Sequence, residues 1–261
     1  MKEDNSYQQD QKELHKTLAF YYGERYRYRF SRIFHDFWNS EILSLSPPSE
    51  DGLIVDFGCG TGILFPSLAK RYSSIVGLDL SYDMIKNAPR GINEVKGCIV
   101  ADGGRLPFHD NSVNLVICRG SMHHLPDLDK TLIEIKRILN NNGLLIFSEP
   151  SNDNLLIRFG RFLMYKLSSR FDERDTAFIT SELVLKLTKA GLSVEAIKRF
   201  GFFSYLFGVA PDHFPLMIYI PFNVQIIKLF IFIDKLLARV PLIKDQSFHV
   251  IFKARKFGEV K

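Results

Sequence analysis

Apolar positions along the chain follow two rhythms, and the change between them near residue 50 divides the molecule. Before it, a polar and charged start from Met1 to Glu13 leads into HKTLAFYYGERYRYRFSRIFHDFW, His15 to Trp38. Phe30, Ile33, Phe34 and Phe37 recur there at the spacing of one helix face, and the run Ser46 to Gly52 then stops the helix with two prolines. From Leu53 the rhythm becomes short apolar runs separated by amphipathic stretches: LIVDFG, SIVGLDL, CIVADG, VNLVICRG and LLIFSEP. Continuous runs without polar alternation predict strands covered on both faces, and their alternation with helices predicts a mainly parallel sheet. The expected class is a doubly wound α/β fold.

After Pro150 the pattern predicts an apolar, basic helical segment from Asn154 to Ser169 and a charged loop. A helix follows from about Ser181 to Ala190, starting at Ser181 and Glu182 and closed by Gly191. Two further strand-like runs, SVEAIKRF and FHVIFKA, bring the expected sheet to seven strands. Between them lies an apolar insertion at about 202–246. Phe214 to Ile227 carries no charge, but Pro215, Pro221 and Lys228 interrupt the stretch before the roughly 20 residues that a bilayer-spanning helix needs. From Phe222 to Arg239 the polar residues Gln225, Lys228, Lys235 and Arg239 fall on one stripe. They leave a wide face of Ile226, Leu229, Phe230, Ile233, Leu236 and Leu237, suited to a membrane interface or to packing. The expected organisation is an N-terminal helical lid over 1–50 and one domain over 51–261, with helical covers at about 152–170 and 202–246.

Composition changes this picture little. With 261 residues, 46% of them hydrophobic, the chain can bury one large core. Cys59, Cys98 and Cys118 lie in apolar or glycine-rich stretches without CxxC pairing, which argues against a disulfide framework or a zinc site; no metal is expected, and a cytoplasmic setting is. The net charge of +5 is unevenly spread. Lys and Arg number 17 on each side of Pro150, whereas 19 Asp and Glu precede it and 10 follow. The basic half leaves nucleic acid, an anionic substrate, the inner face of a membrane and a plain solvated surface all open.

The strongest chemical signal is VDFGCGTG, Val55 to Gly62, between the first strand and the next helix. Glycines at 58, 60 and 62 let the backbone turn and approach a ligand closely, and the helix start offers N–H groups. Asp56 before them suits the cationic amino-acid end of a sulfonium ligand better than a pyrophosphate. Asp79 ends the second strand seventeen residues after Gly62, the place from which a carboxylate reaches a ribose diol. Asp102, at the third strand end, could accept an adenine amine between the apolar walls of Leu80, Met84 and Leu106. A nicotinamide fingerprint would need GxGxxG, and Ile63 stands at its third glycine position.

In these residues the chain resembles the class I S-adenosylmethionine-dependent methyltransferases, in particular their type-11 small-molecule branch. VDFGCGTG is similar to the family's first motif, GLDLS to the second, DGGRLPF to the third and VNLVICRGSMHHLPD to the fourth, with LNNNGLLIFSEP as the turn and fifth strand. The resemblance covers roughly residues 50 to 150. It implies S-adenosylmethionine as cofactor, with backbone contacts from Gly58, Cys59, Gly60 and Gly62 to the methionine moiety, Arg119 beside it, Asp79 on the ribose, and Asp102 with Gly103 near the adenine. Asp56 and Thr61 complete the candidate cofactor residues. Asn114 departs from the aspartate with which the family's fourth strand commonly begins.

Methyl transfer is a displacement that alignment alone accelerates, and a base is needed only if the acceptor has a proton to lose. His123, His124 and Glu149 are the candidates, each with a structural alternative as a packed turn residue or a cap; His213 is a weaker one. Apolar covers imply a small or lipid-like acceptor such as a quinone precursor, a lipid or a hydrophobic metabolite. Tyr21, Tyr22 and Tyr26 could close a lid, with Arg25, Arg27, Arg29 and Arg32 meeting an anionic group. RNA binding by these residues ranks lower, for want of a recognisable RNA-binding module. The alternatives are an RNA or protein methyltransferase and, in another class, a non-catalytic module of the cofactor fold that binds a membrane or a partner. Oligomeric state is not legible.

Overall fold

In the computed structural model, residues 26–48, 52–154, 157–159, 177–209 and 216–257 are described. Expectations for Tyr21, Tyr22, Arg25, most of the 154–170 segment and His213 fall outside them.

The seven strands form one sheet in the order β3-β2-β1-β4-β5-β7-β6. They are β1 Ile54–Phe57, β2 Ile75–Asp79, β3 Val95–Val100, β4 Val113–Arg119, β5 Leu139–Pro150, β6 Leu192–Phe200 and β7 His249–Lys256. Strands β1 to β5 pair in parallel, and β7 lies antiparallel between β5 and β6. The continuous apolar runs are buried on both faces: Ile54, Leu115, Ile117, Leu144, Ile146 and Ile251 face one core, and Val55, Val116, Leu145, Phe147, Val250 and Phe252 the other.

The helices, in chain order, are α1 Arg29–Leu43, α2 Phe65–Leu68, α3 Tyr82–Ile85, α4 Leu128–Ile138, α5 Thr180–Lys189, α6 Phe203–Gly208, α7 Leu216–Tyr219, α8 Asn223–Leu237 and α9 Pro241–Lys244. α4 and α5 cover the second core; α1, α2 and parts of α7 and α8 cover the first. The aromatic rhythm of α1 is a core signal, since Phe30, Phe34, Trp38 and Ile42 are buried. Its last turn is held by Arg71, whose Nη1 donates to the Leu43 carbonyl at 2.6 Å. The segment read as a lid therefore includes a helix built into the fold.

Two local expectations are corrected. Ser181 does not cap α5: the helix begins at Thr180, whose N–H donates to Asp153 Oδ1 at 2.7 Å while its hydroxyl donates to Oδ2 at 2.6 Å. This carboxylate from the end of β5 replaces a local cap. α8 also turns differently from its sequence pattern. The departure is Asp234, which the pattern left out of the inner face and which is buried with Ile227; Leu229 and Leu236 of the expected apolar face, with Phe232, are exposed. Among the described residues, no helix is long and apolar enough to cross a membrane.

Candidate active site

The carboxyl ends of β1, β2, β4 and β5, the end of β6 and the start of β7 meet along one edge of the sheet, which brings most of the candidate residues together. After β1 the chain passes through Gly58, Gly60 and Gly62 with φ of +68°, +52° and +71°, the left-handed region where a side chain is strained. At Gly58 space is limiting as well, because a Cβ would stand 2.0 Å from Ser121 Oγ.

The loop is fixed by its own amides. Gly58 and Cys59 N–H both donate to the Leu78 carbonyl, at 2.7 and 3.0 Å, and Gly62 N–H to the Cys59 carbonyl at 2.8 Å. Gly60 N–H donates to Asp79 Oδ2 at 2.8 Å. The N–H groups of Gly58, Gly60 and Gly62 are thus taken up within the protein, not free as the sequence suggested. Gly77 in β2 is needed for a related reason, since a Cβ there would lie 2.9 Å from Cys59 Sγ and 3.0 Å from Cys98 Sγ.

Asp79 sits at the loop mouth, its Oδ1 accepting from Ser81 N–H at 2.9 Å. Burial pushes its pKa up, against the pull of backbone donors at Ser81, Gly60 and Leu80 and of His124 nearby. Ser81 Oγ in turn accepts from Met84 N–H, which starts α3 and brings Met84 against Gly60. Asp102 is exposed and closes a turn onto Gly104 N–H at 2.9 Å, and Ala101 N–H ties the same segment to the Asp79 carbonyl at 3.0 Å. Gly103 is buried against Phe57.

Asp56 is 1% exposed, and its Oδ2 has no hydrogen-bond partner. Burial raises its pKa to about 8; Arg119 pulls it down, and Asp79 and Cys98 push it further up. An orphaned carboxylate oxygen beside a glycine loop fits a cationic ligand group. Arg119, at the end of β4, lies 4.0 Å from the Trp38 ring centroid, and its Nη2 is 2.5 Å from His35 Nδ1. Trp38 Nε1 donates to Ser148 Oγ at 3.0 Å, so α1 clamps the cationic corner of the site. The departure at Asn114 is structural: its Oδ1 accepts from Leu53 N–H at 3.2 Å and holds the entry to β1.

The three acid–base candidates separate. Glu149 is fully buried, and its Oε1 accepts from Met122 N–H at 2.8 Å and Ser121 N–H at 3.2 Å. Its Oε2 lies 2.6 Å from His123 Nδ1. His124, its ring centroid 3.9 Å from that of His123, interacts with Asp79 instead. The sequence reading missed Ser121, His35, Trp38, Ser148 and His249. Only Trp38, the single tryptophan, stood out in an aromatic run.

Residues 55–147 match the family described as Methyltransferase domain. Over these residues the chain carries the methyltransferase domain of the class I S-adenosylmethionine-dependent family. That family's cofactor fits the site in that the orphaned Asp56 oxygen answers its ammonium group, whereas the glycines at 58 and 62 are required by Ser121 and Phe65. An uncharacterised protein of Methanocaldococcus jannaschii is 38% identical over 117 residues, 45% of this chain and 49% of that protein. A demethylmenaquinone methyltransferase of Lactiplantibacillus plantarum is 28% identical over 208 residues, 69% of this chain and 84% of that enzyme. The chain spans about half the length of the first of these relatives. Among solved structures, a Haloferax volcanii methyltransferase complex with the Trm112 activator aligns with a TM-score of 0.63 at 19% identity, covering 94% of this chain and 98% of that one, a likeness of fold.

Proposed function

We propose that this methyltransferase transfers the methyl group of S-adenosylmethionine to a small or lipid-like apolar acceptor that loses a proton in the reaction. The observation that carries the proton chemistry is the buried Glu149 carboxylate 2.6 Å from His123 Nδ1, beside the glycine loop. With Nδ1 committed to Glu149, His123 takes the acceptor proton at Nε2, and Glu149 orients the ring and stabilises the imidazolium. Glu149 is therefore a positioning residue.

When bound, S-adenosylmethionine supplies an electrophilic methyl on a cationic sulfur. Asp56 and Arg119 would hold the ammonium and carboxylate of its amino-acid end, Gly58 to Gly62 its chain, Asp79 the ribose hydroxyls, and Asp102 with Gly103 the adenine between Leu80, Met84 and Leu106. His124, near Asp79, belongs with this cofactor group more than with the base. Support for an apolar acceptor comes from the aromatic half of the same edge, where Trp38, Phe200 and Tyr205 surround His249 with ring centroids 4.5 to 5.4 Å away. The likeness to a demethylmenaquinone methyltransferase points the same way.

The test is calorimetric titration with S-adenosylmethionine, followed by transfer of a labelled methyl into a lipid extract and into an RNA and protein fraction. Label entering an extractable apolar compound, with His123→Gln losing transfer but not cofactor binding, is the expected result. Label in the polymer fraction would overturn the acceptor class, and cofactor binding without any transfer would overturn the catalytic reading.

A further inference from the structure

The outer face of α8 has a composition that neither cofactor binding nor the sheet requires. Leu229, Phe232 and Leu236 project from it, 54%, 59% and 46% exposed. At its start the stripe continues into Phe222 and Tyr219, 75% and 80% exposed. Phe222 has a φ of +59°, a left-handed conformation that is costly for a bulky side chain, and it carries an exposed ring there.

Charge on this face has one sign. Lys228, Lys235 and Arg239 run along one border of the apolar stripe, all exposed, and among the described residues none of them forms an ion pair. Lys235 has an aromatic contact only, 5.3 Å from the Phe37 ring centroid. From Leu216 to Lys244 the one acidic residue is Asp234, and it is turned inward, 1% exposed, to accept hydrogen bonds from the start of α6.

From these observations we infer that the outer face of α8, with Tyr219 and Phe222 at its head, docks flat on an anionic phospholipid bilayer. Apolar side chains enter the acyl boundary while the adjoining cations meet phosphate groups. A second copy of the chain fits this face poorly. A two-fold contact would set Lys228, Lys235 and Arg239 against their own equivalents with no acid to pair them. The inference stands on this face alone, and its test reads no methyl transfer, so it can fail without the proposed function failing, and the reverse.

The experiment is cosedimentation of the full chain with phosphatidylglycerol and with phosphatidylcholine vesicles. Binding to the anionic vesicles, weakened by salt and much weaker on the neutral ones, is expected. Lys228→Gln and Lys235→Gln should each reduce the partition by about fivefold, and Phe232→Ser with Leu236→Ser by about tenfold or more, with calorimetric affinity for S-adenosylmethionine unchanged. Should the serine variant not fold, the glutamine pair, at exposed positions, carries the test. No binding by the parent protein, or equal binding by parent and variants, overturns the inference. So does a dimer in light scattering that Phe232→Ser dissolves, which would assign the face to a second copy.

Discussion

Glu149 Oε2 and His123 Nδ1 stand 2.6 Å apart although 26 positions separate the residues, and the carboxylate has no exposed surface. The contact follows from the pairing of β4 with β5. Cys118 lies opposite Phe147 and Arg119 opposite Ser148, so the residues just beyond these pairs share the same edge. Two N–H donors from the turn after β4 occupy the other carboxylate oxygen. Glu149 therefore locks the turn and the ring together, and its position is fixed before any acceptor arrives.

If the pair acts as a unit, Glu149→Gln and His123→Gln should each lower kcat by about 10- to 100-fold while the affinity for S-adenosylmethionine holds. The double variant should be scarcely worse than either single one, because the second change removes a group already disabled. Turnover of the four proteins on one acceptor checks this. Strictly additive losses would show that the two residues act separately.

Asp79 anchors Gly60 N–H, and in the proposed cofactor site it would also present oxygen to the ribose. Asp79→Ala should weaken S-adenosylmethionine binding by about 1–3 kcal/mol, measured by calorimetry. Asp79→Asn keeps one acceptor oxygen for the Gly60 amide and should lose less. Unchanged affinity in the alanine variant would remove the ribose assignment.

The sheet was legible because strands buried on both faces leave no polar alternation, and Asp56, Asp79 and Asp102 could be placed because strand ends are visible as such. The Glu149–His123 pair was not legible as a pair, since only the strand order makes β4 and β5 neighbours. α8 shows the converse limit. Its helical period was plain, but the reading left Asp234 out of the buried face. In the fold, α6 opens at Phe202 with no side-chain cap, and the carboxylate that satisfies its N–H groups has to come from another helix.

Asp56 gives a pH signature. Its folded pKa of about 8 lies above the ordinary value of 3.8, so between those limits the folded protein holds a proton that the unfolded chain has released. Stability without cofactor should then fall as pH rises through this window, by about 1.4 kcal/mol per pH unit from this group. Asp56→Asn should abolish that component, seen in urea midpoints at pH 5 and pH 8. A cation placed beside the carboxylate favours its ionised form, so cofactor binding at pH 7 should release a proton, readable by calorimetry in buffers of different ionisation enthalpy. An unaltered slope in the asparagine variant would show that Asp56 is ionised in the free protein.

Asp234 ties α8 to α6. Its Oδ2 accepts from Phe202 N–H at 2.8 Å, Ser204 N–H at 3.1 Å and the Ser204 hydroxyl at 2.5 Å, and Oδ1 accepts from Phe203 N–H at 3.0 Å. Asp234→Asn keeps the shape but turns an amide NH2 toward N–H donors, so it should cost at least about 2 kcal/mol, whereas Ser204→Ala, which removes a single hydroxyl donor, should cost about 1 kcal/mol. Urea unfolding followed by the fluorescence of Trp38 measures both. Equal midpoints for the parent and the asparagine variant would mean that α6 is held chiefly by α1, through the Ser31 hydroxyl donating to the Gly208 carbonyl at 3.0 Å. In that case α8 would be attached through its apolar contacts alone.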